Sequence, residues 1–350
     1  MRRGTTWGKP EPVCRVEYAN RMPSGTLCNA TFKGLREDIP ANEVKPEQPM
    51  ATPTKKKSSG LESITHPDRV VFPESGITKL ALATYFQRAA ERLLPHIVGR
   101  PLSLVRCPVG IGGHCFYQKH VVGRFPQGVE LVDVGEGRDK LYPVVGNEAG
   151  LLALAQMSAI EVHPWGSTFR HLDVPDRLIF DLDPGPDVAW AAVVMAAKIV
   201  RQRLREFGLE SFVKTSGGKG LHVTVPIRPE HDWKVAKEFC RNVAAGLAKE
   251  APDAFVATAT KVKRTGRIYV DYLRNARGAT AVAPYSPRAR EPAPIAMPIT
   301  WRQLERIDSP VVATLGNAEK WLRGTDPWQG FGKVAQRLSK AALKQAAAQK

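Results

Sequence analysis

The sequence contains no long apolar run. No stretch approaches the roughly 18 uncharged apolar residues that a helix needs to cross a bilayer, which excludes a membrane-spanning protein. The N-terminus begins Met-Arg-Arg and continues into Gly-Thr-Thr-Trp without the apolar segment of a secretory signal, so the cytosol is the expected compartment. The 5 cysteines are odd in number and include no Cys-x-x-Cys pair, which predicts free thiols rather than a disulfide framework.

One group of side chains has the chemistry of a zinc site, namely Cys107, His114, Cys115 and His120. Their spacing matches no recurrent zinc finger. The adjacent residues His114 and Cys115 would also point to opposite faces of a strand. The pattern therefore does not favour zinc.

Acidic residues are scarce relative to basic ones. The chain has 34 Asp plus Glu against 51 Lys plus Arg, a formal net charge of +17. Such a surplus favours a polyanionic partner such as nucleic acid, with anionic lipid as the weaker alternative. A length of 350 residues corresponds to about two domains at roughly 150 residues each.

Composition divides the chain into four parts. Residues 1–47 carry short strand-like pieces, VCRVEYA and ATFKGL, and predict a small β segment. Residues 48–60 are rich in Pro, Lys, Ser and Thr, as flexible linkers are. Residues 61–332 alternate strands and helices, which predicts an α+β domain with an antiparallel or mixed sheet and helices packed on it. Residues 333–350 are basic and Ala-rich, and predict a helical tail that frays.

Three aspartates are candidate metal ligands. Asp181 and Asp183 end a predicted buried strand, and residues i and i+2 of a strand point to the same face about 6.5 to 7 Å apart. Carboxylates that close repel unless a cation such as Mg²⁺ or Mn²⁺ lies between them. Asp271 is the single acid among eight basic residues between positions 258 and 290, which suits a third ligand. The alternative is a strand-end turn capped by Asp183.

Several further residues could bind phosphate. Ser216 and Lys219 lie in the loop KTSGGKGLH, whose glycines would let backbone N–H groups approach an anion, and His222 ends that loop. A Walker A loop is excluded because Gly220 follows the lysine, and a simple Gly-Gly turn is the alternative. In the segment PYSPRAR, Arg288 and Arg290 could share a face and grip a triphosphate, or form part of a solvated basic surface. His163, in EVHPWGS, has the core histidine as its default interpretation.

An ordered set of motifs resembles one protein family. HPDRVVFPESGITK, FYQKH, EVHPWGS, DLDPGP, KTSGGKGLHV, DYLRNARGATAVAPYS and RAR follow one another as they do in the polymerase domain of bacterial end-joining DNA ligase D, a branch of the archaeo-eukaryotic primase superfamily. The resemblance covers residues 61 to about 322. It implies a primase-type palm in which three aspartates, here Asp181, Asp183 and Asp271, hold two divalent metals.

The resemblance also implies roles for the other candidates. The residues that match the family's phosphate-contacting positions are His163, Ser216, Lys219, His222, Arg288 and Arg290. Phe116 or Tyr117 matches the aromatic residue that stacks on a base. Arg69 and Lys79 match the residues that bind the 5′-phosphate of DNA, and a relative would often have Lys in place of Arg69. Thr78 is a predicted N-cap, so free backbone N–H groups beside Lys79 would favour an anion, with two solvated cations as the alternative.

The N-terminal part carries a second resemblance. Residues 7–44 are similar to the last strands of the oligonucleotide-binding domain of ATP-dependent DNA ligases, ending in Phe-Lys-Gly-Leu-Arg at residues 32–36. The adenylated lysine of such ligases lies in a Lys-x-Asp-Gly motif, and that tetrapeptide is absent from this sequence. The chain is therefore expected to lack ligase activity of its own.

Together these features predict a DNA-directed nucleotidyltransferase that extends or gap-fills DNA ends during non-homologous end joining. The resemblance implies Mn²⁺ or Mg²⁺ as cofactor, NTP or dNTP as substrate, and 5′-phosphorylated DNA ends, Ku and a DNA ligase module as partners in the bacterial nucleoid. One alternative is a primase that starts chains de novo. Another is a catalytically silent module that binds DNA ends, against which the three aspartates argue.

Overall fold

The structure is a computed structural model, and it describes residues 13–17, 20–21, 27–28, 31–36, 40, 60–120, 125–135 and 141–349. The chain forms two units, Met1–Lys57 and Ser58–Lys350. The predicted linker at residues 48–60 lies outside the described residues except for Gly60.

The first unit is built from short strands. Strand β1 (Val13–Glu17) pairs antiparallel with β4 (Thr31–Arg36), and β2 (Asn20–Arg21) pairs with β3 (Leu27–Cys28). The Phe-Lys-Gly-Leu-Arg motif forms most of β4, and its Phe32 side chain is exposed. The β character expected of this segment is present, and its assignment to a ligase domain stays a prediction.

The second unit alternates strands and helices. Its strands are β5 (Val70–Phe72), β6 (Ile77–Thr78), β7 (Leu102–Arg106), β8 (Phe116–Gln118), β9 (Val129–Asp133), β10 (Leu141–Val145), β11 (Ala159–Pro164), β12 (Arg177–Pro184), β13 (Phe212–Thr215), β14 (Leu221–Pro226), β15 (Phe255–Val256), β16 (Ile268–Asp271) and β17 (Pro298–Ile299). Its helices are α1 (Lys79–Ile97), α2 (Glu148–Gln156), α3 (Trp190–Glu206), α4 (Trp233–Glu250), α5 (Trp301–Leu304), α6 (Ala318–Leu322) and α7 (Lys340–Gln349). Within the described ranges, no helix combines the length and the apolar character that crossing a bilayer requires.

A six-stranded sheet carries the central strand β12. Its strand order is β15-β16-β12-β14-β13-β17, and all pairs are antiparallel except β15 with β16. In β12 the side chains of Leu178, Phe180 and Leu182 alternate with Asp181 and Asp183, and all three apolar residues are fully buried. Helices α3 and α4 pack against this sheet. The strand period of two therefore buries one face in the core and sends the carboxylates to the other.

A three-stranded antiparallel sheet, β11-β7-β8, packs with α1 and α2. Helix α1 begins as predicted, because the Thr78 hydroxyl accepts a hydrogen bond from the Ala81 N–H. Its buried stripe includes Leu82 and Phe86, whereas Leu80 is exposed. The α+β fold with a mixed sheet and packed helices is confirmed.

The C-terminal tail differs from expectation. Helix α7 packs on α4, with Ala342 and Ala346 buried. Arg203 Nη1 donates a hydrogen bond to Gln349 Oε1 at 3.2 Å. The small alanine side chains allow close packing of the two helices, so the predicted fraying is wrong for this segment.

The prediction of free thiols is wrong for two cysteines. Cys107 and Cys115 form a disulfide with their Cα atoms 4.3 Å apart. Strands β7 and β8 form a hairpin in which Arg106 lies opposite Phe116. Cys107 follows Arg106 and Cys115 precedes Phe116, so the two cysteines face each other at the start of the hairpin loop. The pairing depends on this register, which the spacing of the cysteines alone does not reveal.

The disulfide also removes the zinc alternative, because the two sulfurs are bonded to each other and are no longer thiolate ligands. Free thiols remain at the exposed Cys14 and the buried Cys240.

Peptide mapping tests the disulfide. Trypsin should release residues 107–119 as one peptide that contains both cysteines. Without reductant, this peptide should be lighter than the reduced form by the two thiol hydrogens and should resist alkylation after denaturation, because its sulfurs are bonded. Mass spectrometry measures this, and the Cys240 peptide, which should be alkylated, is the control. Alkylation of both Cys107 and Cys115 without reductant would contradict the pairing.

Candidate active site

Three carboxylates converge on the open face of the six-stranded sheet. Strand β12 lies between β16 and β14, and Asp181 is directly opposite Asp271 on one side and His222 on the other. One carboxylate oxygen from each of Asp181, Asp183 and Asp271 lies within 4.8 Å of the other two. Asp181 and Asp271 are buried, and Asp183 is half-buried. The structure thus brings the three predicted metal ligands together.

The charges of these carboxylates influence one another. Burial would raise the pKa of Asp181, but His222, Arg274 and Lys214 outweigh it and hold this pKa well below its usual range. Asp183 behaves in the opposite way, because burial and the charges of Asp181 and Asp271 raise its pKa to about 6. A cluster of carboxylate oxygens with this mutual repulsion suits a hard divalent cation.

Two arginines partly neutralise the cluster. Arg274 places Nη2 3.1 Å from Asp271 Oδ2 and Nε 3.4 Å from Asp181 Oδ2. Arg264 places Nη1 3.9 Å from Asp183 Oδ2. The sequence showed both arginines only as members of a basic run, and their role as counter-ions depends on the pairing of β12 with β16.

Two buried groups lie beside Asp181. His222 Nε2 is 3.3 Å from Asp181 Oδ1, and burial together with the Lys214 charge lowers the pKa of His222 to about 4. Lys214, opposite His222 in the sheet, is 2% exposed, and its amine has no hydrogen-bond partner in the described part of the chain. Burial and Arg288 lower its pKa to about 7. Sequence analysis missed Lys214, although a lysine inside a buried strand was a usable signal.

The glycine-rich loop joins β13 to β14 and lies against β12, the strand that carries Asp181 and Asp183. The Ser216 hydroxyl accepts hydrogen bonds from the N–H groups of Gly218 and Gly220, each at 3.3 Å. A Cβ at Gly220 would lie 2.2 Å from the Leu182 carbonyl oxygen, so a larger residue cannot fit there. Gly217 has φ +67°, and a Cβ there would lie 2.6 Å from Arg288 Cγ. The glycines therefore permit a close approach of the loop to both β12 and Arg288.

These elements surround a cleft of about 430 Å³. Its charged and hydrogen-bonding walls are formed by His163, Asp181, Asp183, Ser216, Lys219, His222, Arg264, Arg274, Arg288 and Arg290. All six residues expected to contact nucleotide phosphates therefore lie around one cavity with two of the three aspartates. Arginine and lysine side chains beside a carboxylate cluster are suited to an anion that arrives with a metal ion.

The two candidate stacking residues differ in position. Tyr117 and Phe116 are neighbours in β8, so their side chains point to opposite faces. The Tyr117 ring meets the His163 ring edge to face, with centroids 5.5 Å apart, and its hydroxyl is 2.6 Å from the hydroxyl of Thr280 in the cleft wall. Phe116 instead lies under Arg106. The geometry brings only Tyr117 next to the cleft.

Lys79 lies outside the cleft wall and is 2% exposed. Its amine donates hydrogen bonds to the Thr65 carbonyl and to Gln156 Oε1, both at 3.0 Å. Burial and the nearby charge of Arg69 lower its pKa to about 8. Arg69 is exposed and donates from Nη1 to the Pro108 carbonyl at 2.8 Å. Two neighbouring cations are therefore present, but only Arg69 is open to solvent.

The expectation of free N–H groups at the start of α1 is wrong. The Lys79 N–H donates to the Arg69 carbonyl at 2.8 Å, and the Leu80 N–H donates to the Pro67 carbonyl at 3.0 Å. The Ala81 N–H is bound by the Thr78 hydroxyl. The preceding turn folds back on the helix and satisfies these donors, so an anion here would depend on side chains.

With this site in view, the chain can be compared with known proteins. The family described as "LigD, primase-polymerase domain" matches residues 78–328, and the chain therefore belongs to that family. Its fold and family are those of the primase-polymerase domain of LigD, as the sequence predicted.

Similar proteins support this assignment. The chain is 38% identical to the "Multifunctional non-homologous end joining protein LigD" of Pseudomonas aeruginosa, over 97% of this chain and 42% of the relative. It is 33% identical to the protein of the same name from Mycolicibacterium smegmatis, over 69% of this chain and 32% of the relative. The chain thus spans less than half the length of these relatives.

A solved structure has the same fold. The "Polymerase Domain from Mycobacterium tuberculosis Ligase D in complex with DNA" superposes with a TM-score of 0.72 and 30% sequence identity. The match covers 78% of this chain and 98% of the solved one.

The carboxylate cluster leads to a stability prediction. In the metal-free protein, Asp183→Asn should leave the melting temperature unchanged or raise it, because the neutral amide removes repulsion from Asp181 and Asp271. The same change should weaken Mn²⁺ binding by at least about tenfold. It removes a direct metal ligand, and even loss of a residue that only hydrogen-bonds to a ligand typically has an effect of that size. Thermal melts with and without Mn²⁺ and calorimetric titration measure both effects.

The matched control is Asp253→Asn, which changes an exposed aspartate away from the cleft and should leave Mn²⁺ binding intact. Undiminished Mn²⁺ binding by Asp183→Asn would refute the metal site.

Proposed function

We propose that this chain is a metal-dependent, DNA-directed nucleotidyltransferase that extends or gap-fills DNA ends in non-homologous end joining. The observation that carries the proposal is the meeting of three carboxylates and a cationic cleft on one sheet face. Carboxylates alone would serve many metal enzymes. Their combination with arginines and a glycine-rich loop favours a substrate that brings a triphosphate.

The metal ligands in this proposal are Asp181, Asp183 and Asp271, which would hold two Mn²⁺ or Mg²⁺ ions. Bound divalent ions would supply activation of a primer 3′-hydroxyl and neutralisation of charge on the phosphates.

The nucleotide, an NTP or dNTP, would occupy the cleft. Lys219, Arg288 and Arg290 would bind the triphosphate, since cationic donors bind phosphate oxygens through strong charge-assisted hydrogen bonds. Ser216, His163 and His222 would complete the phosphate contacts. Tyr117, which lies beside His163, is the better placed of the two aromatics for stacking on the incoming base.

The DNA would be recognised at its 5′-phosphate by Arg69, with Lys79 behind it. Arg69 is exposed, and the nearby charge of Lys79 has no acidic partner among its hydrogen bonds. A phosphate drawn to Arg69 would gain from both charges, although Lys79 would have to exchange one of its present hydrogen bonds to touch it.

Strand sealing would require another protein. The Lys-x-Asp-Gly tetrapeptide is absent from the sequence, and residues 1–47 would be a ligase-like β segment without an adenylation site. We propose that the chain works with a DNA ligase module and with Ku at DNA ends in the nucleoid. The end-joining function named for the relatives supports these partners.

Primer extension tests the proposed reaction. With Mn²⁺ and nucleotides, the chain should fill a short gap bearing a 5′-phosphate and should make no product from template without a primer. The nick that remains should stay unsealed with ATP present, because the sequence has no Lys-x-Asp-Gly motif whose lysine could be adenylated. Denaturing gels resolve these products.

Asp271→Ala should abolish extension while the protein stays folded, whereas the control Asp253→Ala should extend normally. Primer-free synthesis would instead support the primase alternative. An absence of extension by the wild-type chain would support the silent end-binding module.

The 5′-phosphate pocket leads to a separate prediction. Arg69→Gln should weaken binding of gapped DNA with a 5′-phosphate by about 1.5 to 3 kcal/mol, roughly 10- to 150-fold, because it removes a charge-assisted contact. Binding of the same gap with a 5′-hydroxyl should hardly change. Fluorescence anisotropy with the two DNAs measures the difference.

Arg88→Gln, which neutralises an exposed arginine farther along α1, is the control and should not discriminate between the two ends. Equal weakening of both DNAs by Arg69→Gln would show that Arg69 attracts only the DNA backbone.

A further inference from the structure

An acidic side chain, Glu161, lies behind the cationic wall of the cleft. It belongs to β11 and is 6% exposed. It does not line the cleft itself, but it contacts His163 and Arg288, which do. A buried negative charge next to a triphosphate site would by itself oppose binding of the triphosphate, so its presence suggests another role.

The contacts of Glu161 join it to two residues of the cleft wall and to the backbone beside one of them. Its Oε2 lies 2.7 Å from His163 Nε2 and 3.0 Å from Arg288 Nε. Its Oε1 accepts a hydrogen bond from the Ala289 N–H at 2.8 Å. Glu161 and His163 are two residues apart in β11, whereas Arg288 and Ala289 come from a segment more than a hundred residues later. One carboxylate therefore joins both the side chain and the backbone of that segment to β11.

We propose that Glu161 is a positioning residue, which holds His163 and Arg288 in the geometry that receives the nucleotide's triphosphate. This inference rests on the proposed function, since it concerns the same cleft. It assigns a role to a residue that the sequence analysis did not single out.

The orientation of each partner follows from the contacts. Burial alone would raise the pKa of Glu161, but His163, Arg288 and the Ala289 N–H lower it to about 2, so the carboxylate is ionised and only accepts hydrogen bonds. The His163 Nε2 must then carry a proton, which leaves Nδ1 as the nitrogen available to a ligand.

Arg288 is held on two sides. Nε faces Glu161, and Nη1 donates to the Ser216 carbonyl in the glycine-rich loop. The remaining nitrogen, Nη2, is left for the cleft. A second link between the same segments supports this arrangement, because the Val162 N–H donates to the Ser286 hydroxyl at 2.9 Å. Side chains fixed in this way lose less freedom when the triphosphate binds.

The direction in which one substitution changes nucleotide affinity distinguishes positioning from simple repulsion. Glu161→Gln removes a negative charge, so repulsion alone predicts tighter nucleotide binding. Positioning predicts weaker binding, because the amide cannot accept from His163 and Ala289 while also pairing with Arg288. We expect the Kd of a fluorescent ATP analogue with Mn²⁺, and the KM for nucleotide in gap filling, to rise about tenfold, as for loss of one charge-assisted contact. The affinity for gapped DNA should stay unchanged.

The control is Glu230→Gln, which breaks an ion pair with Arg337 away from the cleft and should alter neither constant. Nucleotide binding by Glu161→Gln that equals or exceeds the wild type would overturn the proposal. Equal weakening of DNA binding would also overturn it, since that would indicate general disruption.

A second measurement uses the wild-type protein and does not depend on the variant folding. In ¹⁵N-histidine spectra of the metal-free and nucleotide-free protein, His163 should carry its proton on Nε2, with the signal assigned by its loss in His163→Asn. An unprotonated Nε2 would overturn the proposal. If the wild-type chain bound the ATP analogue but extended no primer, the proposed function would fail while both measurements would still test Glu161.

Discussion

The repulsion among three carboxylates on one sheet face is the constraint on which the site depends. Backbone pairing fixes β12 between β14 and β16, so Asp181 and Asp271 cannot move apart without breaking the sheet. The fold therefore maintains a concentration of negative charge that only cations relieve. Arg274 relieves part of it through its contacts with Asp181 and Asp271, and a divalent metal would relieve more because it can contact several oxygens at once.

The cationic part of the cleft comes from segments that are far apart in the chain. His163 lies in β11, Lys219 in the loop before β14, and Arg288 in a segment beyond β16. Glycine is required where these segments touch, since a side chain at Gly220 would meet the Leu182 carbonyl. The acidic and basic parts therefore meet because the backbone of the loop approaches β12 closely, and this proximity favours binding of a metal together with a triphosphate.

The residues that sequence analysis missed share one property. Glu161, Lys214 and Arg274 are charged groups that each lie near a charged residue of another segment, namely Arg288 or Asp181, and this proximity cannot be read from their neighbours in the sequence. Lys214 and Glu161 are also buried, which is unusual for their residue types and marks them as parts of the site rather than of the surface.

The sequence by itself determined the features that depend on a few neighbouring residues. Alternation in β12 predicted that Asp181 and Asp183 share a face, and Thr78 predicted the start of α1. The isolation of Asp271 among basic residues made it a candidate third ligand, and the family resemblance supported it. Tertiary structure alone decided the Cys107–Cys115 disulfide and the burial of Lys79. It also decided that Tyr117, rather than its neighbour in β8, faces the cleft. The physical reason is that periodicity and capping act within about one turn of helix or a few residues of strand, whereas cross-strand register and packing are set by segments that meet only when the whole domain folds.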